Sequence, residues 1–266
     1  MVYIATVTFN DIHNLKRTIG SVRKFKKSYQ RYVVVDGASS DGTVEFCQLN
    51  ADIIDYFISE SDQGIYDAMN KVLNVPNIKD DDYIIWINGG DELLDWDDEI
   101  YESLQSYDCA FYNVYLGIEG KTRCRLPRIE IRTPYNEKNF SPSSTFFHQG
   151  FFIRVGAFRK WRYDIGVGVQ AENLLMSQAI QNLHYFVSQK PVAKFYLGGI
   201  SSHFWPLFKS WLLVAARLDF SFVRLLVYQR GFIIRQFVKL CIPEEWVYRH
   251  FLAKQERLFN IENSQI

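Results

Sequence analysis

The chain has 266 residues, with 30 basic and 30 acidic side chains, so its formal net charge is zero. That balance excludes a global electrostatic pull on nucleic acid, and any charged ligand must be held by a local patch. Apolar residues at 48% supply the core of one large domain, or of one domain with a modest extension.

The opening MVYIATVTFN has no basic segment and no long apolar stretch, so VYIATVT (2–8) reads as a first strand rather than a signal peptide. Ile12, Leu15, Ile19 and Val22 then recur at three- and four-residue steps, which predicts a helix face. YVVV (32–35) is a short buried strand, followed by the turn cluster DGASSDGT (36–43), where Asp41 is placed to cap the next helix. IIDYFI (53–58) predicts a third strand, Ile65, Ala68, Met69, Val72 and Leu73 stripe an amphipathic helix, and residues 83–87 predict a fourth strand. This alternation predicts an α/β fold, a Rossmann-like, mostly parallel sheet with helices on both faces. Ligands of such sheets sit beyond the carboxyl ends of the strands. All four ends here are polar: Thr8-Phe9-Asn10, Asp36-Gly37, SESDQG (59–64) and Asn88-Gly89-Gly90-Asp91.

Past about residue 105 the alternation stops. CAFYNVYLG (109–117), STFFHQGFFI (144–153) and VAKFYLGG (192–199) predict strands, and QAENLLMSQAIQNL (170–183) predicts a helix. From residue 204 the texture changes to aromatic and aliphatic helical stretches studded with arginine, a C-terminal helical extension. Cys47, Cys109, Cys124 and Cys241 are scattered without a CxxC pair, which suits reduced, buried thiols in a cytoplasmic protein.

Acids at strand tips suit Mg²⁺ or Mn²⁺, hard cations that take oxygen ligands, few of them from the protein when phosphates supply the rest. Gly89 and Gly90 let backbone approach a ligand closely. On its own the GGDE stretch fits a surface turn with a helix-capping acid equally well.

Taken in order and spacing, VTFN (7–10), VVVDGASSDGT (33–43), SESDQGIYDAMNK (59–71) and INGGDEL (87–93) resemble the nucleotide-sugar-binding half of the family 2 glycosyltransferases, which have the GT-A fold. The resemblance resumes in HQGFFI (148–153), QAENLL (170–175) and FYLGGISS (195–202). It implies a GT-A domain over 1–203, with a nucleotide-sugar half (1–105) and an acceptor half (106–203), and the extension over 204–266. It implies that Thr8 and Asn10 line the nucleotide pocket, Asp36 contacts base or ribose, and Asp41 organises the DGT turn. By the same resemblance Gly64, Asp67, Asn70 and Asn88 are donor-binding residues, Asn88 opening the strand-four motif. The resemblance implies that Asp91 is the metal ligand of that motif, holding a cation on the donor's diphosphate. Bland alternatives stand beside these: Asp41 as a plain helix cap, Asn70 as a solvated helix residue.

Many relatives carry two or three acids where this chain has Asn88, Gly89, Gly90 and a single Asp91. The resemblance therefore implies weak metal binding without donor. The acceptor half must supply a base for in-line transfer with inversion. Glu172, where relatives show an acid near the helix start, is the candidate; a helix-surface glutamate is the alternative. His148 and Gln149 are acceptor-side candidates, although a histidine in FFHQGFF also fits a satisfied core position.

The stretch WPLFKSWLLVAARLDFSFVRLLVYQRGFIIRQFVKL (205–240) has no uninterrupted run of 18 apolar residues. It either packs on the catalytic domain or lies in a bilayer interface, making the protein peripheral on the inner face of the cytoplasmic membrane. The sequence thus predicts an inverting glycosyltransferase using a nucleotide sugar, with UDP the favoured nucleotide, and a saccharide or lipid-linked saccharide acceptor. The alternative is a catalytically silent nucleotide-sugar-binding or scaffold subunit of a glycan-assembly complex. A Rossmann dehydrogenase is disfavoured, because VTFNDIHN stands where GxGxxG belongs.

Overall fold

The computed structural model describes residues 1–118 and 147–197, together with 209, 210, 212–214 and 217. The predicted alternation is present: β1 (Val2–Thr8), α1 (Ile12–Phe25), β2 (Gln30–Asp36), α2 (Thr43–Leu49), β3 (Tyr56–Ser59), α3 (Ile65–Asn70) and β4 (Tyr83–Trp86). These four strands are all parallel, in the order β3-β2-β1-β4. Alternate residues of β1 enter two cores. Tyr3, Ala5 and Val7 pack with Ala68 and Met69 of α3, while Val2 and Ile4 pack with Leu15, Ile19 and Val22 of α1. Burying each of those three α1 side chains contributes about 1.5–3 kcal/mol, which holds a helix whose first turn lacks acidic residues.

The second half is mixed rather than parallel. After β5 (Glu92–Leu93) and α4 (Asp98–Leu104), β6 (Cys109–Ile118) leads towards a 3₁₀ turn at His148–Gly150. Then come β7 (Phe151–Arg154), α5 (Val155–Trp161), α6 (Ala171–Asn182) and β8 (Tyr185–Leu197). The sheet continues β4-β7-β6-β8-β5, with β7 antiparallel to both neighbours and β5 antiparallel to β8. Three expectations are corrected. The third strand starts at Tyr56 rather than 53, the fourth ends at Trp86, and HQG forms a 3₁₀ turn instead of continuing a strand.

Strands β4 and β5 are four places apart in the sheet, about 19 Å if it were flat. The connection between them folds back at Asn88–Asp91, where Asp91 N donates to the Asn88 carbonyl at 2.9 Å. A chain that turns on itself cannot also span a near-maximal distance. The sheet therefore curls.

Cys47 and Cys109 are buried free thiols; Cys124 and Cys241 lie outside the described residues, as do KTRCRLPRIEIRTP (121–134) and GGISS (198–202). Most of the 204–266 extension also lies outside them. The described part packs on the domain: Val214 joins the α6 core, Ser210 Oγ accepts from Gln170 N at 2.9 Å, and Arg217 pairs with Asp164 at 3.0 Å. No helix among the described residues is long and apolar enough to cross a membrane.

Candidate active site

The four strand tips are bolted to one another. Gly37 N donates to the Thr8 carbonyl and Gly89 N to the Val7 carbonyl, so the second and fourth tips flank the first. Asn10, in the left-handed region at φ 47°, accepts from Ser40 N at 2.8 Å and donates its own N–H to Ser39 Oγ at 2.7 Å. Asp36 is fully buried and accepts from Ser39 N at 3.0 Å, from Ser39 Oγ and from Ser59 Oγ at 2.7 Å. Its carboxylate braces the loops that surround the tips.

Asp41 is exposed and sits one residue before the observed cap of α2, Gly42. It accepts from Thr43 N and Thr43 Oγ1 at 3.1 and 2.6 Å, and from Ile12 N at 3.0 Å. These bonds, the Thr43 hydroxyl first, hold the Asp41 carboxyl below the usual range. It therefore organises the DGT turn and the start of α1 together. Gly64 N donates to Asp62 Oδ1 at 2.8 Å, and Asp67 Oδ2 accepts from Gln63 N at 3.0 Å, which shapes the loop before α3. Asn70 turns away to clamp Tyr163, giving to its carbonyl at 2.9 Å and accepting from its N–H at 3.1 Å.

The turn at 88–91 rests on α1. Thr18, fully buried on the apolar face of that helix, accepts from Gly90 N at 2.9 Å and donates to the Asp91 carbonyl at 2.7 Å. Ser21 Oγ accepts from Leu93 N, and Arg17 Nε donates to the Gly90 carbonyl at 2.8 Å. Gly90 stands at φ 102°, where a side chain would be strained. Sequence reasoning missed Thr18, Ser21 and Arg17. The available signal was two small hydroxyl residues among Leu15, Ile19 and Val22 on a face that otherwise buries hydrocarbon.

Asp91 is 5% exposed. Gln149 Nε2 donates to its Oδ2 at 2.7 Å, and Tyr196 N reaches Oδ1 at 3.4 Å. Burial pushes its carboxyl up to about 6, a rise that the His148 charge, the Gln149 hydrogen bond, Tyr196 N and Arg17 only partly offset. His148 precedes Gln149 in the same 3₁₀ turn, its Nε2 2.9 Å from Asn88 Nδ2. Glu172, at the start of α6, accepts from His148 N at 3.0 Å, and its other oxygen lies 3.0 Å from His148 Nδ1. Burial draws the imidazole down, but the charge and hydrogen bond of Glu172, with Asp91 behind, leave it raised. The same Glu172 charge adds to burial in pushing the phenols of Tyr66 and Tyr163 up. The structure thus brings Asn88, Asp91, His148, Gln149 and Glu172 into one connected group beside Thr8, and leaves Asp41, Asp67 and Asn70 engaged with backbone around it.

Among the described residues, three buried polar atoms in this region have no partner: Thr8 Oγ1, Asn88 Oδ1 and Gln149 Oε1. A buried orphan acceptor costs about 1–3 kcal/mol, so the site is organised for something that satisfies them. Among the described residues no three His, Cys, Asp or Glu side chains come together as a metal cage. The partnerless atoms of the site are nonetheless all oxygen, which with the Asp91 carboxylate fits a hard divalent cation taking one carboxylate and completing its shell with phosphate and water. Phe9, overlooked as a site residue in the sequence, stands 62% exposed at the tip of β1 against Gly37 and Asp62.

Known proteins share this fold. The model of the family described as "Glycosyl transferase family 2" matches residues 3–162. A Mycobacterium tuberculosis protein named as an uncharacterized glycosyltransferase is 23% identical over 211 residues, covering 76% of this chain and 77% of the relative. Among solved structures, S. aureus TarS 1–349 in complex with UDP-GlcNAc superposes with a TM-score of 0.60 at 12% identity, over 89% of this chain and 72% of that one. Mannosyltransferase PcManGT from Pyrobaculum calidifontis, in complex with GDP-Man and Mn²⁺, gives 0.54 at 14% identity, over 81% and 64%. Likeness at such identities carries the fold, here GT-A. The family model spans more than half of the chain, and the chain therefore belongs to glycosyl transferase family 2 and is a glycosyltransferase.

Proposed function

We propose that the chain moves a sugar, with inversion, from a nucleoside diphosphate sugar to a saccharide hydroxyl, with Glu172 as general base. The observation that carries this reading is the unbroken contact path Glu172–His148–Asn88, beside Gln149–Asp91. It links one acid at the start of α6 to another in the turn that follows β4. Inversion needs a two-sided arrangement. The acceptor oxygen forms a bond to the anomeric carbon as the bond from that carbon to the diphosphate oxygen breaks. The electron pair leaves with the diphosphate, and Glu172 takes the acceptor's proton.

Asp91, with the orphaned oxygens of Asn88 and Gln149 near it, would hold Mg²⁺ or Mn²⁺, which supplies positive charge to the departing diphosphate. Thr8 offers a buried hydroxyl at the same end. Phe9 gives an exposed ring on which a nucleobase stacks, while Asp36 and Asn10 keep the loops around it in place. TarS and PcManGT are described with UDP-GlcNAc and with GDP-Man and Mn²⁺, which sets the first donors to try. The segment 204–242, with six Lys or Arg against one acid, favours a lipid-linked acceptor at an anionic surface. The deciding experiment is a thermal-shift panel of UDP- and GDP-sugars with Mn²⁺, followed by transfer assays on the donor that raises the melting point. A protein that no nucleotide sugar stabilises is not the enzyme proposed here.

A further inference from the structure

Adjacent residues of one 3₁₀ turn grip the two acids of the site. His148 holds Glu172 by its backbone N–H and ring Nδ1, and Gln149 holds Asp91 through its amide. The turn itself cannot shift easily. A Cβ on Gly150 would stand 2.1 Å from the Tyr112 carbonyl oxygen, so the backbone there is pressed against β6. A carboxylate only accepts hydrogen bonds, so in this arrangement His148 Nδ1 carries the hydrogen. In the neutral ring Nε2 then accepts from Asn88 Nδ2, which turns Asn88 Oδ1 away from the ring as the buried, partnerless oxygen observed.

We propose that this turn is the spacer that sets the base relative to the leaving-group side, with His148 as the positioning residue for Glu172. Two N–H donors from one residue fix the carboxylate in orientation as well as place, and leave its remaining lone pairs for the acceptor hydroxyl. Through the Asn88 amide, the ring is also keyed to the turn that carries Asp91. A donor group that engages Asn88 Oδ1 locks the amide, hence the ring, hence the base. This inference rests on Glu172 being the base.

Side-chain amides separate the two ring contacts. The Asn amide nitrogen falls near the place of Nδ1 and donates as it does, and the Gln amide falls near that of Nε2, where its oxygen accepts from Asn88 Nδ2. Of the two ring contacts, His148→Asn therefore keeps the one to Glu172 and His148→Gln the one to Asn88, while the backbone N–H of residue 148 stays on Glu172 in both. We expect His148→Ala and His148→Gln to lower kcat by about 10- to 100-fold, a share of the roughly 10²–10⁴ that a placed base supplies. The donor KM should stay within about threefold, and His148→Asn should recover most of the lost kcat. Equal kcat in the Asn and Gln variants, or a loss confined to donor KM, overturns the proposal. In the double variant with Glu172→Gln, the His148→Gln loss should disappear, since no base remains to be positioned; additive losses also overturn it. If the wild-type chain transfers no sugar, it is the reading of Glu172 as base that has failed. The spacer is then judged by melting: His148→Gln and Glu172→Gln should lower Tm by less together than the sum of their separate effects, and additive shifts refute it.

Discussion

Gln149 donates its amide hydrogen to Asp91 Oδ2 at 2.7 Å, a neutral side chain closing over an acid that is 5% exposed. Burial holds that acid at about 6, against an ordinary 3.8. Because the folded value lies above the unfolded one, ionising Asp91 costs the fold. The contribution is fully present below about pH 4 and is lost as pH rises through 6, on the order of 3 kcal/mol in metal-free protein. Asp91→Asn should flatten this dependence and raise Tm by several degrees at pH 7.5, while donor turnover falls. Melting curves from pH 4 to 8 check it; an unchanged slope in the variant assigns the titration to another group.

Glu172→Gln keeps the shape of the side chain and removes its basicity. Turnover should fall by about 10²–10⁴, the range for a general base, with the dissociation constant for nucleotide unchanged by calorimetry. Undiminished kcat would place Glu172 outside the chemistry.

Phe9→Ala removes a ring that is 62% exposed, so folding should hardly notice. Stacking on an aromatic is worth about 1–3 kcal/mol per base, and UDP affinity should drop accordingly, by roughly 5- to 150-fold. Titration of UDP into both proteins decides; equal affinities leave Phe9 with no part in donor binding.

Asn70 separates architecture from ligand contact. Its two bonds to the Tyr163 backbone lock α3 to the segment before α6. Losing both and leaving buried backbone unpaired should cost about 1–3 kcal/mol. For Asn70→Ala we therefore expect a lower Tm and an unaltered donor dissociation constant. A weaker donor with unchanged Tm would instead put Asn70 at the donor site, as family resemblance implies.

Much of the first half was legible because its signals are local. Ile12, Leu15, Ile19 and Val22 mark α1 by spacing alone, and the buried runs of β1, β2 and β4 end in polar residues that the structure gathers at one place. The parts that escaped depend on partners distant in the chain. Thr18 is polar on an apolar face, and its purpose lies 72 residues away at Gly90 N. β5 has two residues, too few for any period, and exists through its pairing with β8. HQG lies among phenylalanines, so its pattern suggested a strand, while the contact of Gly150 with Tyr112 belongs to a different element. Glu172 stands out by resemblance, but its bond to His148 does not, since nothing in the sequence says that the two meet.

The passage from β4 in mid-sheet to β5 on the far edge runs through residues 87–91, and those few residues also carry Asp91. The segments before and after residue 105 are consequently not interchangeable cassettes. A chimera cut at residue 105 inherits one parent's edge strand and the other parent's β8 to receive it. Recombining such enzymes to change acceptor preference should succeed more often when 88–93 travels with β8, and a deletion of one residue there should release the edge as well as spoil the site.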